Sequence, residues 1–221
     1  LSALQDDPKR FGDAYRRAVR LVAFIGCPLA LGLALTAHEM VRIVYGPEWL
    51  PVASILIWLS IAGITQPIYN TTGWLFTAKA QGVQYLRLTF VNAFVLTAAF
   101  WVGVRGGSLG VAQAYGIVMG LVLLLPALSL AHRVSGIELR DTLVALRPVA
   151  ICLLILAIAV GLVWVMTDWL RMNWYVVFAL KVGAGVMAYA LASKYWARQL
   201  LVEDVIPMLP RVVGRHAERL L

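Results

Sequence analysis

Lys181 is the residue of this 221-residue chain with the clearest capacity for chemistry, because it lies inside a long apolar run. An ammonium at the centre of a membrane helix costs about 2.5–3.5 kcal/mol even on a lenient insertion scale, so such groups usually serve a substrate or ion pathway. Ala184, Gly185, Ala188 and Ala192 follow it at helical spacing and put small side chains on the lysine's own face. That face is predicted to meet the helix bundle and not the lipid. Two roles stand open for the lysine: a cation beside a cavity that receives an anionic substrate, or a side chain that snorkels outward from near its helix end.

A second constellation is the polar stripe Gln66, Asn70, Gly73 and Thr77, spaced to share one helical face, with Pro67 beside it and Tyr69, Thr71 and Thr72 adding hydroxyls. Amides on a kinked helix can line a watery passage and hydrogen-bond sugar hydroxyls. They can equally hold helices together, at about 0.6 kcal/mol per bond. The third constellation is Arg16, Arg17 and Arg20. Three guanidinium groups this close can draw in a pyrophosphate, or anchor topology beside lipid phosphates. Asn92 and Gln113 are read as packing amides, and Gly106/Gly110 and Gly116/Gly120 as packing surfaces. Cys27 and Cys152, each within an apolar run, are expected to be small core residues and not metal ligands or a disulfide.

The elements that must position these groups are membrane helices. Hydrophobic residues make up 62% of the chain and charged residues 14%, against roughly 45–50% and about 25% in soluble domains. A water-soluble globule of this size has too little interior to hide that much apolar surface. Six stretches have the length of a spanning helix: 19–37, 52–76, 86–104, 109–130, 149–166 and 175–195. None alternates with period two, so the fold class is an all-α polytopic membrane bundle and not a barrel. Pro28 and Pro67 fall inside spans as kinks relieved by neighbours, and Trp49, Trp101, Trp164, Trp169, Trp174 and Trp196 near span ends form an aromatic belt.

The net charge of +8 then reports membrane sidedness and not nucleic-acid binding. With the N-terminus inside, fifteen of the nineteen Lys and Arg residues are cytoplasmic, only Arg42, Arg105 and Arg171 are outside, and Lys181 stays within a span. Both ends of the chain are therefore expected on the cytoplasmic side. The organisation reads as a cytoplasmic segment (1–18), a six-helix bundle (19–196) and a basic amphipathic interfacial tail (197–221). His132 to Pro148 reads as the longest connection, an amphipathic cytoplasmic segment. All eleven carboxylates, Glu39 included, are assigned to span ends or loops, which leaves no buried acid for an ion relay, and His38, His132 and His216 are assigned to loops. With no nucleophile set, metal cluster or phosphate-cradling loop in the pattern, an enzyme is disfavoured and no cofactor is called for.

The stretch from Leu4 to Gly82 carries a resemblance. Its acidic-basic segment ending in Tyr15-Arg16-Arg17, the span with central Pro28, and the Val44-Tyr45-Gly46-Pro47-Glu48-Trp49 turn resemble the start of the C-terminal half of bacterial polysaccharide and O-antigen flippases. These belong to the multidrug/oligosaccharidyl-lipid/polysaccharide exporter superfamily. The resemblance implies one six-helix lobe of a two-lobe inner-membrane transporter. It would move an undecaprenyl-pyrophosphate-linked oligosaccharide from the cytoplasmic to the periplasmic leaflet during lipopolysaccharide or exopolysaccharide synthesis. The partners implied are the lipid-linked oligosaccharide, membrane lipids and an N-terminal lobe, and the chain, which opens on Leu1, is expected to be part of a longer protein. Lys181, Gln66, Asn70, Arg16, Arg17 and Arg20 are the candidate substrate-binding residues. The alternatives are a cation-coupled multidrug exporter, disfavoured by the lack of an intramembrane acid, and a membrane glycosyltransferase or polysaccharide polymerase, disfavoured by short outer loops.

Overall fold

A computed structural model describes residues 7–170 and 172–200, and among these residues the chain is helical with no strand. The main helices are α1 (Pro8–Val44), α2 (Leu50–Ala78), α3 (Gly82–Gly103), α4 (Gly107–Ile117), α5 (Leu124–Ser135), α6 (Leu139–Trp169) and α7 (Trp174–Trp196). A π-helical segment, Val118–Leu123, joins α4 to α5 into one pass. Pro126 lacks the N–H that Val122 would accept, so a shift in hydrogen-bond register just before it is the natural local solution.

Five continuous helical stretches are long and apolar enough to cross a membrane, and one of them, Gly82–Ser135, is 54 residues long. That stretch makes two passes, because it folds back at its middle. Gly107 takes a positive φ of 66°, beside a single 3-10 turn over Val104–Gly106. Beyond the turn α4 runs back against α3: a Cβ on Gly103 would meet the Gly110 carbonyl oxygen at 2.7 Å, and the Phe100 and Tyr115 ring centroids are 6.1 Å apart. The bundle thus has six passes, but α1 begins eleven residues and α6 ten residues before the spans expected there.

Capping and packing explain why α1 starts early and runs long. Asp7 accepts from the backbone N–H groups of Lys9 and Arg10, both at 3.2 Å, and Pro8 occupies the first turn, where its missing donor costs nothing. The expected cytoplasmic segment is, from Pro8 onward, the first turns of this helix. At about 1.5 Å per residue α1 is about 55 Å long, more than a bilayer core needs. Its first turns are held by Phe11, Tyr15 and Val19, which pack on Leu75 and Phe76 of α2 and Ala131 of α5.

The connection expected over residues 132–148 is much shorter. Gly136 closes α5 in the left-handed conformation (φ 74°), and α6 begins at Leu139. The glycine is the C-terminal stop, and the charged residues on either side stand on helix ends and not on a loop. The histidine assignment changes with it. His38 lies in α1, and His132 lies buried in α5, with Nδ1 at 2.8 Å from the Leu128 carbonyl and Nε2 at 2.8 Å from Thr142 Oγ1 on α6. His216 and the tail from residue 201 lie outside the described residues.

Around α1 the order of packing is simple: α2 lies on one side, α6 and α7 on the other, while α4 and α5 lie beyond α2 and α3 packs mainly on α4. The two prolines fit as expected of a bundle. Pro28 cannot donate to the Phe24 carbonyl, and the Tyr189 hydroxyl of α7 donates to that oxygen instead, at 2.7 Å. Gly26 faces Pro67, where an added Cβ would come within 2.9 Å of the proline ring, and Gly63 faces Ala30. This α1–α2 crossing is the close approach that small residues permit. Of the glycine pairs read from the sequence, Gly110 packs against α3 and Gly116 against the Trp58 carbonyl, whereas Gly106 and Gly120 meet nothing. Cys27 and Cys152 are buried free thiols. The six tryptophans read as a belt stand near helix ends, and Trp101 and Trp169 are 80% and 83% exposed.

Candidate functional site

Lys181 does not snorkel. Its residue is 5% exposed, on the α7 face that also buries Gly185 and Ala192, and Val160 of α6 packs where a Cβ on Gly185 would lie. The ammonium donates to Glu39 Oε1 of α1 at 2.6 Å and lies 3.4 Å from the Leu35 carbonyl oxygen. Both side chains are largely out of solvent, at 6% and 13% exposure. The expectation that the carboxylates at span ends and in loops leave no buried acid therefore fails at Glu39. It sits five residues, about 8 Å, inside the end of α1, and Lys181 sits seven residues, about 10 Å, inside the start of the antiparallel α7. The matched depth makes the pair, and the bundle does contain a buried acid.

A cleft of about 710 Å³ opens beside this pair between α1, α6 and α7. Its walls are mostly apolar, from Pro28, Leu29 and Leu33 to Leu156 and Val186, and its polar lining includes Lys181, Thr36 and Ser193. A second cleft of about 500 Å³ lies between α1 and α2 and is lined by Gly26, Pro67, Gln66 and Asn70. Ile25 lines both, so the two clefts adjoin on one face built from α2, α1 and α7.

The polar stripe on α2 divides between two faces. Gln66, Asn70 and Thr77 are exposed. Thr71 and Thr72 are buried, and Thr71 Oγ1 lies 3.1 Å from the Tyr15 hydroxyl. Tyr69 bonds the Asn92 amide across the α2–α3 contact, so Asn92 is the packing amide it was expected to be. The hydroxyls of Thr71 and Tyr69 therefore join helices and that of Thr72 bonds the Tyr69 carbonyl of its own helix, while the amides face out near the middle of a spanning helix. Exposed amides at that depth are costly against hydrocarbon and suit a protein-covered or water-filled surface.

The arginines form a different depression, of about 370 Å³, with Asp13 and Ala145 of α6. Arg16 is held by Asp13 at 2.7 Å and reaches Asp141 at 3.6 Å. From Arg20 to Glu39 is nineteen residues of α1, about 28 Å. The structure thus places Lys181, Gln66 and Asn70 on adjoining clefts and sets the arginine cluster apart, at the opposite end of α1 from the lysine. Sequence reasoning missed Glu39, Tyr189 and Thr36. Opposite charges at equal depth in two antiparallel spans were the available signal for the first.

Comparison with known proteins adds two similarities. Residues 1–54 match a family described as polysaccharide biosynthesis protein. An uncharacterised membrane protein from the cps region of Klebsiella pneumoniae is 30% identical over 132 residues, which is 57% of this chain and 27% of that protein. The flippase resemblance read from residues 4–82 agrees with both matches. No solved structure matches the chain. The aligned stretch spans about a quarter of the curated relative, so that protein is much longer than the part shared with this one. The family match covers the whole of α1, with its arginine cluster, Pro28 and Glu39, and continues through the turn into the start of α2.

Proposed function

We propose that this chain forms one lobe of an inner-membrane flippase for cell-surface polysaccharide synthesis. The lobe would move an undecaprenyl-pyrophosphate-linked oligosaccharide from the cytoplasmic to the periplasmic leaflet, with both ends of the chain cytoplasmic. The observation that carries the reading is the pair of exposed amides, Gln66 and Asn70, in a cleft at the middle of the spanning region. The relationship to polysaccharide biosynthesis proteins supports the class of cargo.

The geometry suits such a cargo in three respects. A pyrophosphate needs cationic donors near each end of its path, and the bundle has arginines at one end of α1 and Lys181 near the other. Sugars need donors and acceptors between them, which an amide supplies in both senses. The polyprenyl tail needs an apolar boundary, which the α1–α7 cleft has along most of its length. No covalent bond changes in this process, so the residues bind and release. In the proposed cycle a second lobe would close over the α2–α1–α7 face, and alternating access would come from the two lobes rocking about the cargo.

Replacing both amides by apolar residues tests the reading in the full-length protein. Gln66→Leu with Asn70→Leu removes the hydrogen-bonding groups but keeps similar bulk on an exposed face. Export of surface polysaccharide is expected to fall at least tenfold, with the protein's membrane level unchanged. Normal export by the double variant would contradict the cargo-path assignment.

A further inference from the structure

The Val44-Tyr45-Gly46-Pro47-Glu48-Trp49 turn has no part in the cargo path described so far. Gly46 makes it, at a φ of 94° that residues with a side chain rarely adopt, and Pro47 opens the short 3-10 turn that follows. The chain therefore doubles back and brings Trp49 against Tyr45, with ring centroids 6.2 Å apart. Neither ring is spent on the core: Tyr45 is 61% and Trp49 55% exposed. One turn before Tyr45 on α1, Arg42 lies over the Trp174 ring at the start of α7, 5.1 Å from its centroid, and Trp174 stacks on Tyr175.

An aromatic belt is the ordinary reason for such rings, and Trp101, Trp164 and Trp169 fit it. Each is exposed near a helix end, with no ring contact among the described residues. The rings at the end of α1 and the start of α7 differ, because they meet in pairs and a cation joins the two helices beside them. Arg42 and Tyr45, three residues apart, share a face of α1. A guanidinium laid over a ring keeps N–H groups directed from its own edge. No hydrogen bond or ion pair with a described residue takes up those of Arg42, which is exposed, and exposed Glu48 adds an acceptor within the turn.

We propose that Arg42, Tyr45, Trp49 and Trp174 form a carbohydrate-docking ledge that takes the pyranose rings of an oligosaccharide. The C–H face of a pyranose carries partial positive charge and lies well against the negative face of an aromatic ring, while its hydroxyls accept from a guanidinium and donate to a carboxylate. The ledge belongs to α1 and α7, which also bound the larger cleft, and it stands at the end of the bundle where Lys181 lies. Thr36, in that cleft, is nine residues of α1 from Tyr45, about 13 Å. A sugar chain that leaves the cleft at this end passes onto the ledge. The choice of an oligosaccharide as occupant rests on the transport reading above, whereas sugar binding by these side chains is measured without transport.

The test titrates soluble maltohexaose, cellohexaose and chitohexaose onto the full-length protein in nanodiscs of lipids without sugar headgroups, read by saturation-transfer NMR. At least one probe is expected to bind, with the strongest transfer to its ring C–H protons. Tyr45→Leu combined with Trp49→Leu is expected to weaken that binding by about tenfold or more. Tyr45→Phe combined with Trp49→Tyr keeps both rings and is expected to keep the binding. Both positions are exposed, so membrane yield and unfolding midpoint are expected to match the parent's in both variants. No binding of any probe by the parent overturns the ledge. Binding that persists in the leucine variant also overturns it, and its loss in Gln66→Leu with Asn70→Leu instead would put the sugar in the α1–α2 cleft. A leucine variant with lowered membrane yield and unaltered sugar binding would mark an ordinary aromatic belt. Export by the Gln66 and Asn70 variant bears on the transport reading and not on this binding, so the two fail separately.

Discussion

Lys181→Ala is expected to destabilise the bundle by about 3–5 kcal/mol, because it strands the buried Glu39 carboxylate without its counter-charge. The loss far exceeds what the lysine's own hydrogen bonds contribute. Glu39 then has one oxygen already unpartnered and the other newly so. Adding Glu39→Gln to a Lys181→Met background removes both charges, and most of the stability is expected to return. Thermal unfolding of the purified protein in one detergent would show a large drop for the single variant and recovery for the double. Equal midpoints in all three proteins would mean that the pair is not desolvated as described. The comparison also separates stability from transport, since the rescued variant is folded yet has no cation in the cleft.

Gly110→Leu is expected to have the other large effect. A Cβ at Gly110 would fall on the Gly103 carbonyl oxygen, which is backbone and cannot turn aside as a side chain would. The α3–α4 fold-back must then open, at a cost above the about 1–3 kcal/mol that overpacking usually carries. Gly106→Ala, four residues earlier, meets nothing and lies at an ordinary negative φ, so it is expected to be neutral. Yield of monodisperse protein after mild detergent extraction distinguishes the two. Loss for Gly110→Leu with normal recovery for Gly106→Ala supports six passes, and equal recovery would undo the close crossing.

These two sites show what a sequence discloses. The six passes were legible because a bilayer imposes a length, and the Val104–Ser108 break separates two spans that otherwise form one apolar stretch. Lys181 was legible as a bundle-facing residue through the small side chains on its face. Its partner was not, because hydropathy closes the first span at Ala37 and counts Glu39 with the solvent. Only the register of α1 against α7 turns that carboxylate inward. The α2 stripe was half legible: helical spacing grouped Gln66 with Asn70, but Thr71 and Thr72, one and two residues further round the helix, face the core. The connection after α5 was misjudged for a related reason. Most of the charged residues there stand on helix ends, and three residues, Gly136 to Glu138, make the turn.

The proposed function requires the α1–α2 cleft that holds Gln66 and Asn70 to be a watery path and not a lipid boundary. The most direct measurement places single cysteines at Gln66 and Asn70, and at Phe94 on the outer side of α3, in full-length protein whose Cys27 and Cys152 are replaced by alanine. A charged, membrane-impermeant thiol reagent is then applied from each side of the membrane in turn. Phe94 is 77% exposed yet apolar, so it reports what a lipid-facing position looks like. Rapid labelling at positions 66 and 70 with silence at 94 is the predicted result. Equal silence at all three positions from both sides would contradict it.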